Sequence, residues 1–354
     1  MRAIFISFVF FTSLLVTIYK NKLINNTLYH TFLYLIIISS TTYIFAKKEL
    51  SDFPDRLIYK LQFEQNQGLN LIESFSAIPF DKGFVALQWL ISQITHDYNV
   101  YFGIIYFIFF ITISICFRLV FKSDFLIPLS LFVLAPLFPI LSGNIIRTGL
   151  SFSLFLLGTI LYQKGIKIKW IIPMILSISM HLSIAPLVVL FVILRKKMHD
   201  FSKSIIFGLA VSSLIFISNT QLTIFPFLNS FDKISIYNSV DLFDRYSTNL
   251  LRFDFFFFNI LLLVILFVLS KSSNQQSNEK HNFYLNITVL CVIYFNIFGF
   301  IAFSDRIAIY TWLFTIFTAT LIIFDWKKYN IILVPIVYLI VVFTFAVYTS
   351  NLFF

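Results

Sequence analysis

The stretch KGIKIKWIIPMILSISMHLSIAPLVVLFVILRKKMHDFSK, Lys164–Lys203, decides how this chain is folded. Its apolar centre, residues 170–194, is long enough to cross a hydrocarbon core about 30 Å thick once, as a helix rising ~1.5 Å per residue. Yet Lys164, Lys167 and Lys169 precede it and Arg195, Lys196, Lys197 and Lys203 follow it, so a single crossing would strand one basic cluster outside. Pro173, His181 and Pro186 interrupt the run. A re-entrant or broken helical hairpin with its tip near His181 keeps both clusters in the cytoplasm. Each arm then has roughly 11 to 13 residues, about 16 to 20 Å of helix, too short to cross. His181 is expected at membrane depth, where a polar group is tolerated only inside protein or beside a watery cavity.

Outward from this segment the rest of the chain reads the same way. Of 354 residues, 59% are hydrophobic and 12% charged, with mean hydropathy +0.91. A soluble domain carries about twice that charged fraction. Further apolar runs lie at 4–19, 29–45, 101–117, 125–141, 146–162, 203–219, 253–270, 283–303, 307–324 and 330–349. Because lipid obliges each span to satisfy its own backbone hydrogen bonds, the expected fold is all-α. Residues 1–354 are read as one polytopic transmembrane helical bundle of about 10 to 12 spans, the broken hairpin included. The run Ile4–Tyr19 lacks a small-x-small cleavage site before Lys20 and reads as a retained first helix. Cys116 and Cys291 fall inside spans and read as packing residues, with no disulfide framework indicated.

The net charge of +10 is a topology signal. With the hairpin in place, the loops near 20–28, 118–124, 163–169, 195–203, 271–282 and 325–329 hold 15 Lys and Arg against four acids. The other side keeps 11 basic residues and 12 acids. Nucleic acid is therefore not an expected partner, although Lys47 and Lys48 fall on the outer side against the trend. Both termini come out external, and the long external segments are 46–100 and 220–252. Within the first, Phe84–Ile94 alternates apolar residues with Gln88, Ser92 and Gln93 and reads as an amphipathic helix at the outer interface. Lys271–His281, KSSNQQSNEKH, reads as a flexible polar linker.

Ionisable groups near the outer ends of spans are the candidates for chemistry, since charge at membrane depth is costly. Four clusters stand out: Asp52, Asp55, Arg56 and Tyr59 followed by Phe80–Phe84, FDKGF; Ser142–Gly149, SGNIIRTG; His181 with Ser183; and Ser304–Arg306 with Tyr310. Arg147 and Arg306 each fall in the first turn of a span entering from outside, where guanidinium and helix dipole together favour phosphate or pyrophosphate. Arg306 reads equally well as the partner of Asp305 or as a side chain reaching the interface. Arg147 has no acidic neighbour in sequence, with Ser142 and Asn144 at hand as caps. His181 suits a general base, and also a satisfied core histidine that fixes the break. Asp52 and Asp55 suit a sugar hydroxyl or plain solvation, and Arg245 and Arg252 suit lipid phosphates but read rather as facing water. There is no HExxH, cysteine-rich box, GxxxxGK[ST] loop or DxD, so neither a metal nor a cofactor is expected.

In this order the clusters resemble the EpsG family of exopolysaccharide and O-antigen (Wzy-type) polymerases. Asp55 and Tyr59, Asp81-Lys82-Gly83-Phe84, Asn144-Ile145-Ile146-Arg147-Thr148-Gly149, His181-Leu182-Ser183, and Arg306 with Tyr310 follow the family's Asp and Tyr, Glu-Pro-Gly-Phe, Asn-x-x-Arg-Gln-Gly, His-x-Ser and Arg with Tyr. Asp-Lys stands for Glu-Pro, and Thr148 for glutamine. The resemblance implies a glycosyltransferase that moves a growing glycan from undecaprenyl pyrophosphate onto a new lipid-linked repeat, at the outer face of the bacterial inner membrane. It implies leaving-group roles for Arg147 and Arg306 and proton transfer at His181 or Asp55. Asn144, Tyr59, Ser183, Tyr310 and Asp305 would bind substrate, and a chain-length regulator and a flippase of the same pathway would be partners. A sugar O-acetyltransferase and a lipid-linked oligosaccharide flippase stay open as alternatives.

Overall fold

A computed structural model describes residues 27–47, 54–122, 125–135, 137–199, 203–224, 251–271, 278–300 and 304–325. Among them there is no strand, and the chain is an all-α polytopic membrane protein. The described helices up to Ile184 form one compact unit and those from Ala185 another. The runs expected at 4–19 and 330–349, Asp52, and most of the 220–252 segment, Arg245 included, lie outside the described residues.

The first unit opens with α1 (Thr27–Ala46) and α2 (Pro54–Asn66), which begins on the proline favoured at a first helical position. Next come α3 (Leu71–Ala77) and α4 (Lys82–Ser92), then the 24-residue α5 (Tyr98–Phe121). Asn70 and Glu73 form a capping box on α3, and the Asp97 carboxylate caps α5 by accepting the Asn99 N–H at 2.7 Å. The span expected at 125–141 is instead two short helices, α6 (Leu126–Leu134) and α7 (Leu137–Gly143). Between them Ala135 is extended (φ −61°, ψ 138°), the conformation a residue preceding proline in sequence favours. Neither piece reaches crossing length.

α8 (Ile146–Gln163) and α9 (Ile171–Met180) then run antiparallel in close contact. Ser177 Oγ donates to the Ser151 carbonyl at 2.8 Å, and Gly158 leaves room for Met174. α9 ends where the sequence places the break: His181 is extended (φ −156°, ψ 110°) and a 3-10 turn, Leu182–Ile184, follows. The broken helix is therefore present, with arms of the short length expected.

In the second unit α10 (Ala185–Leu194) is followed by a 3-10 turn, Arg195–Lys197, α11 (Lys203–Ile217) and the single turn α12 (Gln221–Ile224). Then come α13 (Phe253–Lys271), α14 (Asn278–Phe298) and α15 (Ser304–Asp325). Part of the expected 271–281 linker is thus the first turn of α14, and His281 is buried in it. α14 and α15 pack antiparallel through Tyr284–Phe317, Thr288–Thr318 and Tyr294–Tyr310. Among the described residues four helices are long and apolar enough to cross a membrane: Tyr98–Phe121, Phe253–Lys271, Glu279–Phe298 and Ser304–Phe324.

Aromatic rings fill the first core. Phe63 stacks on Tyr101 at 4.4 Å and Phe45 on Tyr106 at 4.7 Å. Arg56 is wholly buried and serves as a helix cap: Nη1 and Nη2 donate to the Phe45 and Ala46 carbonyls at 2.8 Å each, with the guanidinium 3.9 Å over Phe102. That ties the start of α2 to the end of α1.

Candidate functional site

α4 differs from its sequence reading. Gln88 and Ser92, expected to face water, are buried, while Leu90 and Ile94 are exposed. Inside, the amide nitrogen of Gln88 donates to Tyr101 Oη at 2.9 Å, and Ser92 Oγ donates to the Trp89 carbonyl at 2.7 Å. This packing seats the N-terminus of α4 on α9: a Cβ on Gly83 would collide with Ser179, two residues before His181.

Asp81, the N-cap residue of α4, is the centre of the site. Its Oδ2 accepts from Arg147 Nη1 at 3.0 Å and lies 3.1 Å from His181 Nδ1. All three side chains are largely withdrawn from solvent, 7% exposed for Asp81 and 13% each for Arg147 and His181. A carboxylate only accepts, so the contact places a proton on Nδ1, and in the neutral imidazole the lone pair is then on Nε2. Unlike Asn70 and Asp97, Asp81 makes no side-chain cap bond to its own helix. It forgoes an interaction worth about 0.5–2 kcal/mol, in a backbone conformation (φ −64°, ψ 130°) suited to capping. Local rules are broken in this way at functional or strained positions.

Arg147 stands in the first turn of α8, as expected. Its acidic partner comes from 66 residues away rather than from a sequence neighbour. Its guanidinium lies 3.8 Å over the Phe80 ring and 6.0 Å from that of Tyr59, which itself packs edge-on against Phe80 and Phe84. Only one end of the fork is engaged by Asp81; the buried Nε has no hydrogen-bond partner. Ile145 occupies the N-cap of α8 with no side-chain cap bond, and Asn144, instead of capping, accepts the Asp55 backbone N–H on Oδ1 at 3.0 Å, joining the start of α8 to the first turn of α2. Lys82, where the family pattern has proline, is exposed at the first position of α4 and donates to the Phe75 carbonyl. Ser183 sits half-buried in the 3-10 turn after His181.

Of the remaining candidates, Asp305, Arg306 and Tyr310 belong to the second unit. Asp305 and Arg306 are half-buried in the first turn of α15, and Tyr310 is buried one turn on. Asp305 lies in the field of Arg306 and of Arg252. Arg252 is paired rather than simply facing water: Nε and Nη2 donate to Asp254 at 2.9 and 2.6 Å, and its guanidinium lies 3.7 Å over Phe255. α13 and α15 thus gather two arginines and two carboxylates at one end of that unit. Among the described residues no group of three or more His, Cys, Asp or Glu converges as a metal site requires.

The class these features define is a polytopic helical membrane protein with a buried Arg–Asp–His cluster at helix ends. The chain belongs to the EpsG family, whose model matches residues 52–354. Neither a curated protein nor a solved structure matches it. Sequence reasoning singled out Arg147, His181, Asn144, Asp55 and Tyr59, and the fold brings these five into or beside one cluster. Asp81 and Phe80 stood in the FDKGF stretch of a candidate cluster but were given no role. The signal was there, because Asp81 stands at the glutamate of the Glu-Pro-Gly-Phe pattern and keeps its carboxylate.

Proposed function

We propose that this chain is a polysaccharide polymerase. It transfers a glycan from undecaprenyl pyrophosphate to a terminal hydroxyl of a new lipid-linked repeat, at the outer face of the bacterial inner membrane. Membership of the EpsG family supports a polymerase-type role in general. The observation that carries the site is the convergence of Arg147 and His181, from separate helices, on one buried carboxylate oxygen. In the reaction the acceptor hydroxyl oxygen attacks the anomeric carbon, and the bond from that carbon to the diphosphate oxygen breaks with its electron pair on the leaving group. The hydroxyl proton passes to His181 Nε2. Arg147, whose Nε–H is buried and not used by the protein, stabilises the departing pyrophosphate. Asn144 and Tyr59 frame the arginine, and Arg306 is a second candidate contact for phosphate in its own unit.

The test is a gel of surface polysaccharide from cells carrying Arg147→Ala at equal expression. Loss of a charged donor to a leaving group costs on the order of 10² to 10³ in rate, so the ladder of many repeats should collapse to a band at one repeat. Arg147→Lys should restore the ladder only in part, since an ammonium lacks the guanidinium fork. An O-acetyltransferase would keep its ladder and lose an ester; a flippase would lose the single-repeat band too. A normal ladder would remove Arg147 from the reaction.

A further inference from the structure

Resting on that reading, we infer that Asp81 is the positioning residue that makes Arg147 and His181 act as one unit, through a single shared oxygen. Three observations converge on it. Asp81 Oδ2 meets both Arg147 Nη1 and His181 Nδ1, at 3.0 and 3.1 Å. Asp81 occupies an N-cap position and does not cap, although the other capping side chains of the unit, Asn70 and Asp97, do. Gly83, two residues on, lets the start of α4 approach Ser179 more closely than any side chain would allow, which sets Asp81 against the end of α9 where His181 stands.

The chemistry follows from charge. At rest the carboxylate and the guanidinium cancel and the imidazole is neutral, so the cluster carries no net charge in a setting where net charge is costly. Asp81 holds His181 with its proton on Nδ1, so that Nε2 is the basic atom. When Nε2 takes the acceptor's proton, the cluster gains one positive charge at the moment the pyrophosphate departs with its electron pair. Asp81 then stabilises the imidazolium, and the guanidinium it shares is freed toward the leaving group. Arg147 and His181 therefore do not contribute independently.

Vesicles bearing the full chain, charged with lipid-linked repeat taken from the source cell deleted for it, give the rate of ladder growth. Asp81→Asn should lower the maximal rate by about 10² to 10⁴-fold, because an amide favours the wrong tautomer, while half-saturation by lipid-linked repeat stays within about threefold. The double variant Asp81→Asn with His181→Ala should be no slower than His181→Ala alone. Growth at the parent rate in Asp81→Asn, or a double variant slowed by the product of the two single losses, overturns the inference. A second measurement does not depend on any Asp81 variant folding: in the solubilised parent chain, nitrogen resonances of labelled histidine, with His181 assigned by its loss in His181→Ala, should show the proton on Nδ1 at pH well above neutrality. A proton on Nε2 there overturns it. If Arg147→Ala and His181→Ala also grow normal ladders, the proposed function loses its site; if both fail while Asp81→Asn does not, only the role of Asp81 falls.

Discussion

Gly83 shows how much of this site depends on single atoms. A Cβ there would lie 2.7 Å from Ser179 Cβ and 2.8 Å from its carbonyl carbon, neither of which can swing away. Gly83→Ala should therefore push α4 off α9 and separate Asp81 from His181. A misplacement of about 1 Å costs on the order of 10²-fold in rate, so the ladder should shorten sharply at unchanged membrane levels. Gly158→Ala makes the control: its Cβ would meet Met174, whose unbranched thioether can move, and the ladder should stay near that of the parent. At this scale the sequence was informative wherever residue type and local position coincide. Arg147 in a first turn and His181 at a helix break were legible for that reason. Asp81 was not, because its partners lie 66 and 100 residues away and its own position resembles an ordinary cap. Asp55 is half-buried, with its backbone N–H joined to Asn144; the carboxylate shared by Arg147 and His181 is that of Asp81.

Among the elements, periodicity and hydropathy located the long helices well. The runs expected at 29–45, 101–117, 146–162, 253–270 and 307–324 are α1, α5, α8, α13 and α15, each slightly longer than expected. The misreadings have physical causes. The extended Ala135, which precedes a proline in sequence, divides what hydropathy alone takes for one span, and Gln88 is buried against Tyr101, a partner its own helix does not contain. Orientation rests on the basic surplus of the short loops, and cysteine labelling checks it. Cys116 and Cys291 are buried and contribute little background, so each new cysteine reports by itself. Gln65→Cys, exposed on α2, should react with a membrane-impermeant thiol reagent added to intact cells; Lys167→Cys, exposed between α8 and α9, should react only after permeabilisation. Labelling of Lys167→Cys in sealed cells would place the basic cluster outside and reverse the membrane face assigned to the site.

For the whole molecule, an integral bundle follows from composition, and family membership narrows its role to polysaccharide assembly. In the proposed reaction Arg147 and His181, joined by one carboxylate oxygen, serve glycosyl transfer from a lipid pyrophosphate, which needs no energy source beyond its substrate. The direct measurement is reconstitution. The purified full chain is placed in liposomes with lipid-linked repeat from the deleted source cell, and neither nucleoside triphosphate nor nucleotide sugar is added. Glycans of many repeats should form, with one undecaprenyl pyrophosphate released per new linkage, and neither product should appear when Arg147→Ala replaces the parent. Repeats that stay single with the parent chain, or that grow only when a nucleotide sugar is supplied, would contradict the proposed reaction.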